Sequence, residues 1–141
     1  VSLLTQDEEI AALLGRARRI ALIGASDNPA RAAHGVMKFL LARGHQVVPV
    51  NPALAGQKLL GQPVVASLAE AGRIDMVDVF RRAEAVPAIV EEAIAAGAPA
   101  LWLQLGIRHE AATARAVAAG LDVVVDRCPK IEAARLGLPP L

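Results

Sequence analysis

Ile20-Ala21-Leu22-Ile23-Gly24-Ala25-Ser26-Asp27-Asn28-Pro29-Ala30-Arg31 is the stretch that decides the fold. An unbroken apolar run, the pattern of a strand buried on both faces, passes into a Gly/Ser/Asn turn. The next apolar residues, Ala33, Val36, Met37 and Leu40, recur at helical spacing until Gly44 stops them. A strand, a tight glycine turn and a helix in that order make an anion site. Backbone N–H groups are freed at the turn, and the positive end of the helix dipole stands behind them. The expected donors are the N–H groups of Ala25 and Ser26 and the Ser26 hydroxyl. Arg31 adds a cation able to grip a phosphate with two parallel hydrogen bonds.

Read outward from this unit, strands and helices alternate. Thr5-Gln6-Asp7-Glu8 has the form of a capping box opening a helix with Ile10, Leu13, Leu14 and Ala17 on one face. Strands are expected at 19–23, 46–50, 64–65, 75–80, 100–104 and 121–125. Helices are expected after Ser67, from Pro87 towards Gly97, from His109 to Ala119, and from Lys130 to Arg135. Short apolar strands separated by helices predict an α/β fold: a Rossmann-type, doubly wound, mainly parallel sheet of five to six strands, helices on both faces. One domain covers 1–141, with residues 1–18 as an N-terminal helix packed on it. A ligand in such a sheet lies beyond the carboxyl ends of the strands where the strand order reverses. The residues placed there are Gly24 to Arg31, with Asn28 among them, and Asn51, Pro52, Phe80, Arg81 and Gln104.

Composition narrows the function classes. A formal charge of +1 and 2% aromatic residues oppose nucleic-acid binding, which needs a basic excess or stacking rings. No apolar run approaches the ~18 residues of a membrane span, and Asp7-Glu8-Glu9 stand where a signal peptide would be positive. A single cysteine, Cys128, forms no internal disulfide, and His34, His45 and His109 show no metal-ligand spacing. The expectation is a soluble, cytoplasmic protein without a metal. Nothing marks an interface, so a monomer is expected.

A dinucleotide fingerprint requires G-x-G-x-x-G followed about 20 residues later by an acid for the ribose. Here Ser26 and Pro29 replace the second and third glycines, and strand two ends in Asn51. What remains suits a phosphate-bearing adenosine ligand. At these residues the chain resembles the small stand-alone CoA-binding proteins related to the CoA-binding domain of the succinyl-CoA synthetase alpha subunit. The resemblance rests on Gly24-Ala25-Ser26 with Asn28-Pro29 and Arg31, on Val48-Pro49-Val50-Asn51-Pro52, and on Val77-Asp78-Val79-Phe80-Arg81-Arg82. It continues through Leu101-Trp102-Leu103-Gln104-Leu105-Gly106 and Asp126-Arg127-Cys128-Pro129-Lys130-Ile131-Glu132. It implies a Rossmann-type domain whose first turn holds the CoA pyrophosphate. By the same resemblance Asn51-Pro52 line the adenine side, and Gln104 approaches the pantetheine arm. The synthetase's phosphohistidine belongs to a further domain, for which this chain has no room.

Several residues carry a plainer reading beside the functional one. Asp78 stands in an apolar strand and needs a cation or donors; Arg81 or Arg127 is the available cation. Phe80 and Trp102 suit a core at strand positions. Cys128, between Arg127 and Pro129-Lys130, is either a small buried residue or a thiol activated by nearby positive charge. His34 has no carboxylate or nucleophile at motif spacing, so no general base and no catalytic residue are expected. The expected function is noncovalent binding of CoA or an acyl-CoA by a non-catalytic module with no nucleic-acid or membrane partner. The rivals are an NAD(P)-dependent oxidoreductase, one half of a split acyl-CoA ligase, and a scaffold whose nucleotide site has decayed.

Overall fold

The computed structural model describes residues 2–141. Five strands, β1 (Arg19–Ile23), β2 (Gln46–Val50), β5 (Met76–Val79), β6 (Ala100–Leu103) and β7 (Asp122–Val124), form one sheet in the order β2-β1-β5-β6-β7. Every pairing in it is parallel. The chain leaves β1 for β2 on one side and then crosses back to β5 on the other. The two connections diverge at the carboxyl ends of β1 and β5, and a crevice opens there.

Side chains alternate along each strand and so divide the core in two. Ile20, Leu22, Met76, Trp102 and Val124 pack under α1 (Asp7–Arg16), α2 (Ala32–Arg43) and α5 (Pro129–Arg135). Ala21, Ile23, Val77, Val79, Leu101 and Leu103 pack under α3 (Val86–Ala95) and α4 (Glu110–Ala118). A sheet covered on both faces has no solvated side, which is why its strands read as continuous apolar runs. The stripes read from sequence are the buried ones: Ala33, Val36, Met37 and Leu40 in α2, and Val86, Ile89, Val90 and Ala93 in α3.

At the far end of the sheet, His45 and Arg43 are buried together. His45 Nδ1 lies 2.7 Å from the Ala17 carbonyl and must donate to it, so Nε2 accepts from Arg43 at 2.9 Å. Burial pushes the imidazole below its ordinary pKa and keeps it neutral. Arg43 also holds the Leu14 carbonyl at 2.8 Å, joining α1 to α2.

The short elements depart from expectation. The first helix is capped one residue later than Thr5: Gln6 is its N-cap, and Glu9 Oε1 accepts from the N–H groups of Thr5 and Gln6 at 3.3 and 3.1 Å. Val64-Val65 is not a strand of the sheet; Val65 makes only an isolated bridge to Val50. The ladder in this segment is a hairpin, β3 (Lys58–Leu59) and β4 (Gln62–Pro63), turning through Leu60 and Gly61 with φ of 48° and 79°. Two positive φ values match the twist of a two-residue hairpin. After Ser67 comes a 3-10 turn, Leu68–Ala71, without a cap from the Ser67 side chain. Residues 2–4 pair along β7, through Leu4 N–H to Val123 O at 2.8 Å and Val123 N–H to Ser2 O at 2.9 Å. No helix among the described residues is long and apolar enough to cross a membrane.

Candidate functional site

The crevice is shaped by how closely β1 approaches β5. Gly24 ends β1 with φ of 87°, and a Cβ there would run into the Phe80 carbonyl oxygen. Only glycine permits both the left-handed turn and the contact. The N–H groups of Gly24 and Ala25 both turn inward to the Val50 carbonyl, at 3.0 and 3.4 Å. Asn51 then locks the turn to the end of β2. Its Nδ2 donates to Ala25 O at 2.8 Å and its Oδ1 accepts from Ala53 N–H at 2.9 Å. Asn28 braces the other side: its N–H donates to Ser26 Oγ at 3.1 Å, its Oδ1 accepts from Ala30 N–H at 3.0 Å, and its carbonyl accepts from Arg31 N–H at 3.0 Å.

Four N–H groups are left over. Those of Ser26 and Asp27 in the turn, and of Ala32 and Ala33 in the first turn of α2, have no protein acceptor among the described residues. No side chain caps α2, and its first turn carries no acid. By contrast α4 is capped by His109 Nδ1, which accepts from Ala112 N–H at 3.0 Å. An uncapped helix start facing a cleft suits an anion.

The cleft has a volume of about 570 Å³; Gly24, Ser26, Ala33, Asn51, Leu54 and Phe80 are among its walls, with Arg31 and Arg81 at its rim. A second hollow of about 550 Å³ shares Phe80 and Arg81 and continues to Arg82 and Glu84. Arg31, Arg81 and Arg82 are exposed and make no ion pair among the described residues. Five arginines elsewhere are paired, Arg16 with Asp122, Arg108 with Asp126, Arg115 with Glu91, and Arg127 and Arg135 with Glu132. Three unpaired guanidinium groups therefore stand at the crevice, where low-dielectric walls strengthen their pull on an anion.

The structure brings Gly24, Ala25, Ser26, Arg31, Asn51, Phe80 and Arg81 together around this cleft. Asn28 acts behind them as a brace, and Pro52 opens an exposed 3-10 turn, Pro52–Leu54. Gln104, buried at the end of β6, is not among the cleft-lining residues. Two expectations need correction. Ala25 N–H is not offered to a ligand, because Val50 O takes it. Asp78 has no cation: it is wholly buried and neither carboxylate oxygen has a partner. Arg81 projects into the cleft, and Arg127 is spent on Glu132 and the Thr5 carbonyl. Cys128 is buried as the N-cap residue of α5, and Trp102 is core, its Nε1 donating to Arg127 O at 2.7 Å. The sequence reading missed Ala32, Ala33, Leu54 and Arg82. The first two were recoverable from the helix start alone, since first-turn N–H groups are free in any helix.

The model of the CoA binding domain family matches residues 18–134, from the start of β1 almost to the end of α5. The chain belongs to the CoA-binding domain family. The uncharacterized Bacillus subtilis protein YneT is 40% identical over 124 residues, 87% of this chain and 90% of its own. A solved structure from Thermus thermophilus is 39% identical with a TM-score of 0.89, covering 94% of this chain and 99% of that one. A domain of acetyl-coenzyme A synthetase 1 from Ca. Korarchaeum cryptofilum, 19% identical with a TM-score of 0.66, shares the fold over 75% of this chain and 25% of its own length. Within this CoA-binding domain, the family match spans every wall of the cleft: the β1 turn, Asn51 to Leu54, and Phe80 to Arg82.

Proposed function

We propose that this domain binds coenzyme A or an acyl-CoA noncovalently, with the pyrophosphate on the β1 turn and the start of α2, and performs no chemistry of its own. The observation that carries the reading is the convergence of four free N–H groups and the unpaired Arg31 and Arg81 on one cleft at the strand-order switch, with Arg82 in the adjoining hollow. CoA is rich in phosphate charge, and Arg31, Arg81 and Arg82 offer it unpaired guanidinium groups here. The adenosine end lies against Asn51, Ala53 and Leu54, and the pantetheine arm runs past Phe80 into the second hollow. Beside the carboxylates of Asp27 and Glu84, the two hollows are lined by backbone amides, alanines and arginines, groups that hold anions. Asn51 also argues against a nicotinamide dinucleotide. An acid at that position would accept from the ribose hydroxyls, whereas both ends of the Asn51 amide are committed to Ala25 and Ala53.

Backbone-amide NMR tests the placement. Titrated CoA is expected to move the signals of Ser26, Asp27, Ala32 and Ala33 most, because new hydrogen bonds form there. Shifts centred on α4 or β7, with those four unmoved, would put the ligand elsewhere.

A further inference from the structure

Three buried side-chain atoms lack a hydrogen-bond partner among the described residues: Asp78 Oδ1, Asp78 Oδ2 and Gln104 Oε1. They belong to adjoining strands. Asp78 is in register with Leu22 on one side and Trp102 on the other. Gln104 follows Trp102 by two residues, and its N–H carries the ladder on to Val79 O at 3.3 Å. Alternation therefore puts Asp78, Trp102 and Gln104 on the same face, the one under α1, α2 and α5. Two residues of strand rise and one strand spacing, about 8 Å together as a diagonal, separate the Asp78 and Gln104 backbone positions in this parallel pair, within reach of two side chains pointing the same way.

Among the described residues the strong donors on that face are spent elsewhere, and the free Cys128 thiol in the same core is only a weak donor. Trp102 Nε1 is given to Arg127 O. The helices packed over the face bring two buried charges, Arg43 and Glu132. Arg43 is held by Leu14 O, Pro139 O and His45, while Glu132 is held by Arg127 and Arg135. An ionised Asp78 and the Gln104 oxygen would be two acceptors confined together without a proton between them, and each would bear the full cost of an unmade hydrogen bond. One proton removes both costs, because a carboxylic acid donates where a carboxylate only accepts.

We propose that Asp78 is a neutral carboxylic acid whose O–H donates to Gln104 Oε1, and that this bond holds the Gln104 amide with its Nε2 turned outward at the carboxyl end of the sheet. Burial drives the Asp78 carboxyl well above its ordinary range, with no neighbouring charge to offset it. Asp78 is then a positioning residue acting through Gln104. Resting on the proposed CoA reading, the outward N–H₂ meets a carbonyl oxygen of the pantetheine arm.

Infrared spectroscopy at neutral pH is expected to show the carbonyl stretch of a protonated carboxylic acid that Asp78→Asn removes. Gln104→Leu, which deletes the acceptor, is expected to shift that stretch to the position of an acid without a hydrogen bond. Absence of the band, or a band indifferent to Gln104→Leu, overturns the proposal. Calorimetry reads the consequence for binding. Asp78→Val is expected to weaken CoA about tenfold, and Asp78→Asn, whose amide can donate to the same oxygen, to restore it to within about twofold. Thermal unfolding identifies a variant that has merely failed to fold; Asp78→Val folded and binding as the parent overturns the positioning role. A parent that shows the acid band and ignores CoA sinks the ligand reading and leaves the hydrogen bond standing.

Discussion

Gly24→Ala is expected to destabilise the domain by roughly 3 kcal/mol and to abolish measurable CoA binding. Two costs add. A left-handed backbone for a residue with a Cβ costs on the order of 1–3 kcal/mol, and forcing an atom into a packed contact costs a similar amount. The contact is with backbone, the Phe80 carbonyl oxygen and carbon, with the Arg81 side chain just beyond. No rotamer can relieve it, so β1 and β5 must part at the crevice. Gly35→Ala is the matched control. Gly35 lies inside α2 with nothing within 4 Å of a Cβ position, and alanine there is expected to stabilise by about 0.5–1 kcal/mol. Urea unfolding of the two variants beside the parent checks both signs. Equal effects at the two positions would show that the crevice geometry is not under the strain argued here.

Arg31→Ala and Arg81→Ala are each expected to weaken CoA by about 1.5–3 kcal/mol, roughly ten- to 150-fold, while leaving the unfolding midpoint unchanged. Both guanidinium groups stand at the rim, exposed and without an ion pair among the described residues. Removing them breaks nothing inside the protein. They also come from different elements, Arg31 as the N-cap residue of α2 and Arg81 just past β5. A phosphate group between them is therefore held from two sides. In the double variant the losses are expected to fall short of their sum if both arginines grip one phosphate, since sites sharing a partner are not additive. Calorimetric titration of the two single variants and the double variant measures this. Unchanged affinity in either single variant removes that residue from the site.

Much of this was written in the sequence, for physical reasons that differ from residue to residue. The parallel sheet was legible because Ile20 to Ile23 and Ala100 to Leu103 are buried on both faces, and double burial enforces an unbroken apolar run. Helix faces were legible because Gly44 and the Ala33-Val36-Met37-Leu40 spacing leave one consistent reading. The hairpin at Leu60-Gly61 was not: strands of two residues carry no periodicity, and leucine at a positive φ is a poor turn signal. The site was half legible. Gly24 and Arg31 announce an anion turn. That Ala25 N–H points back to Val50, and that Asn51 spends its amide as a brace, depends on how two strand ends meet in space. The isolation of Asp78 was equally hidden, because Arg81 and Arg127 are near in sequence or motif, yet each side chain is drawn elsewhere by cleft or ion pair.

The central claim, that the β1–β5 crevice is a coenzyme A site, is tested most directly by calorimetric titration of the protein with CoA. NAD, NADP and ATP serve as parallel controls at one salt concentration. One-to-one micromolar binding of CoA is expected, with no comparable heat from the dinucleotides or ATP. Tight binding of NAD or NADP with no heat from CoA would contradict it.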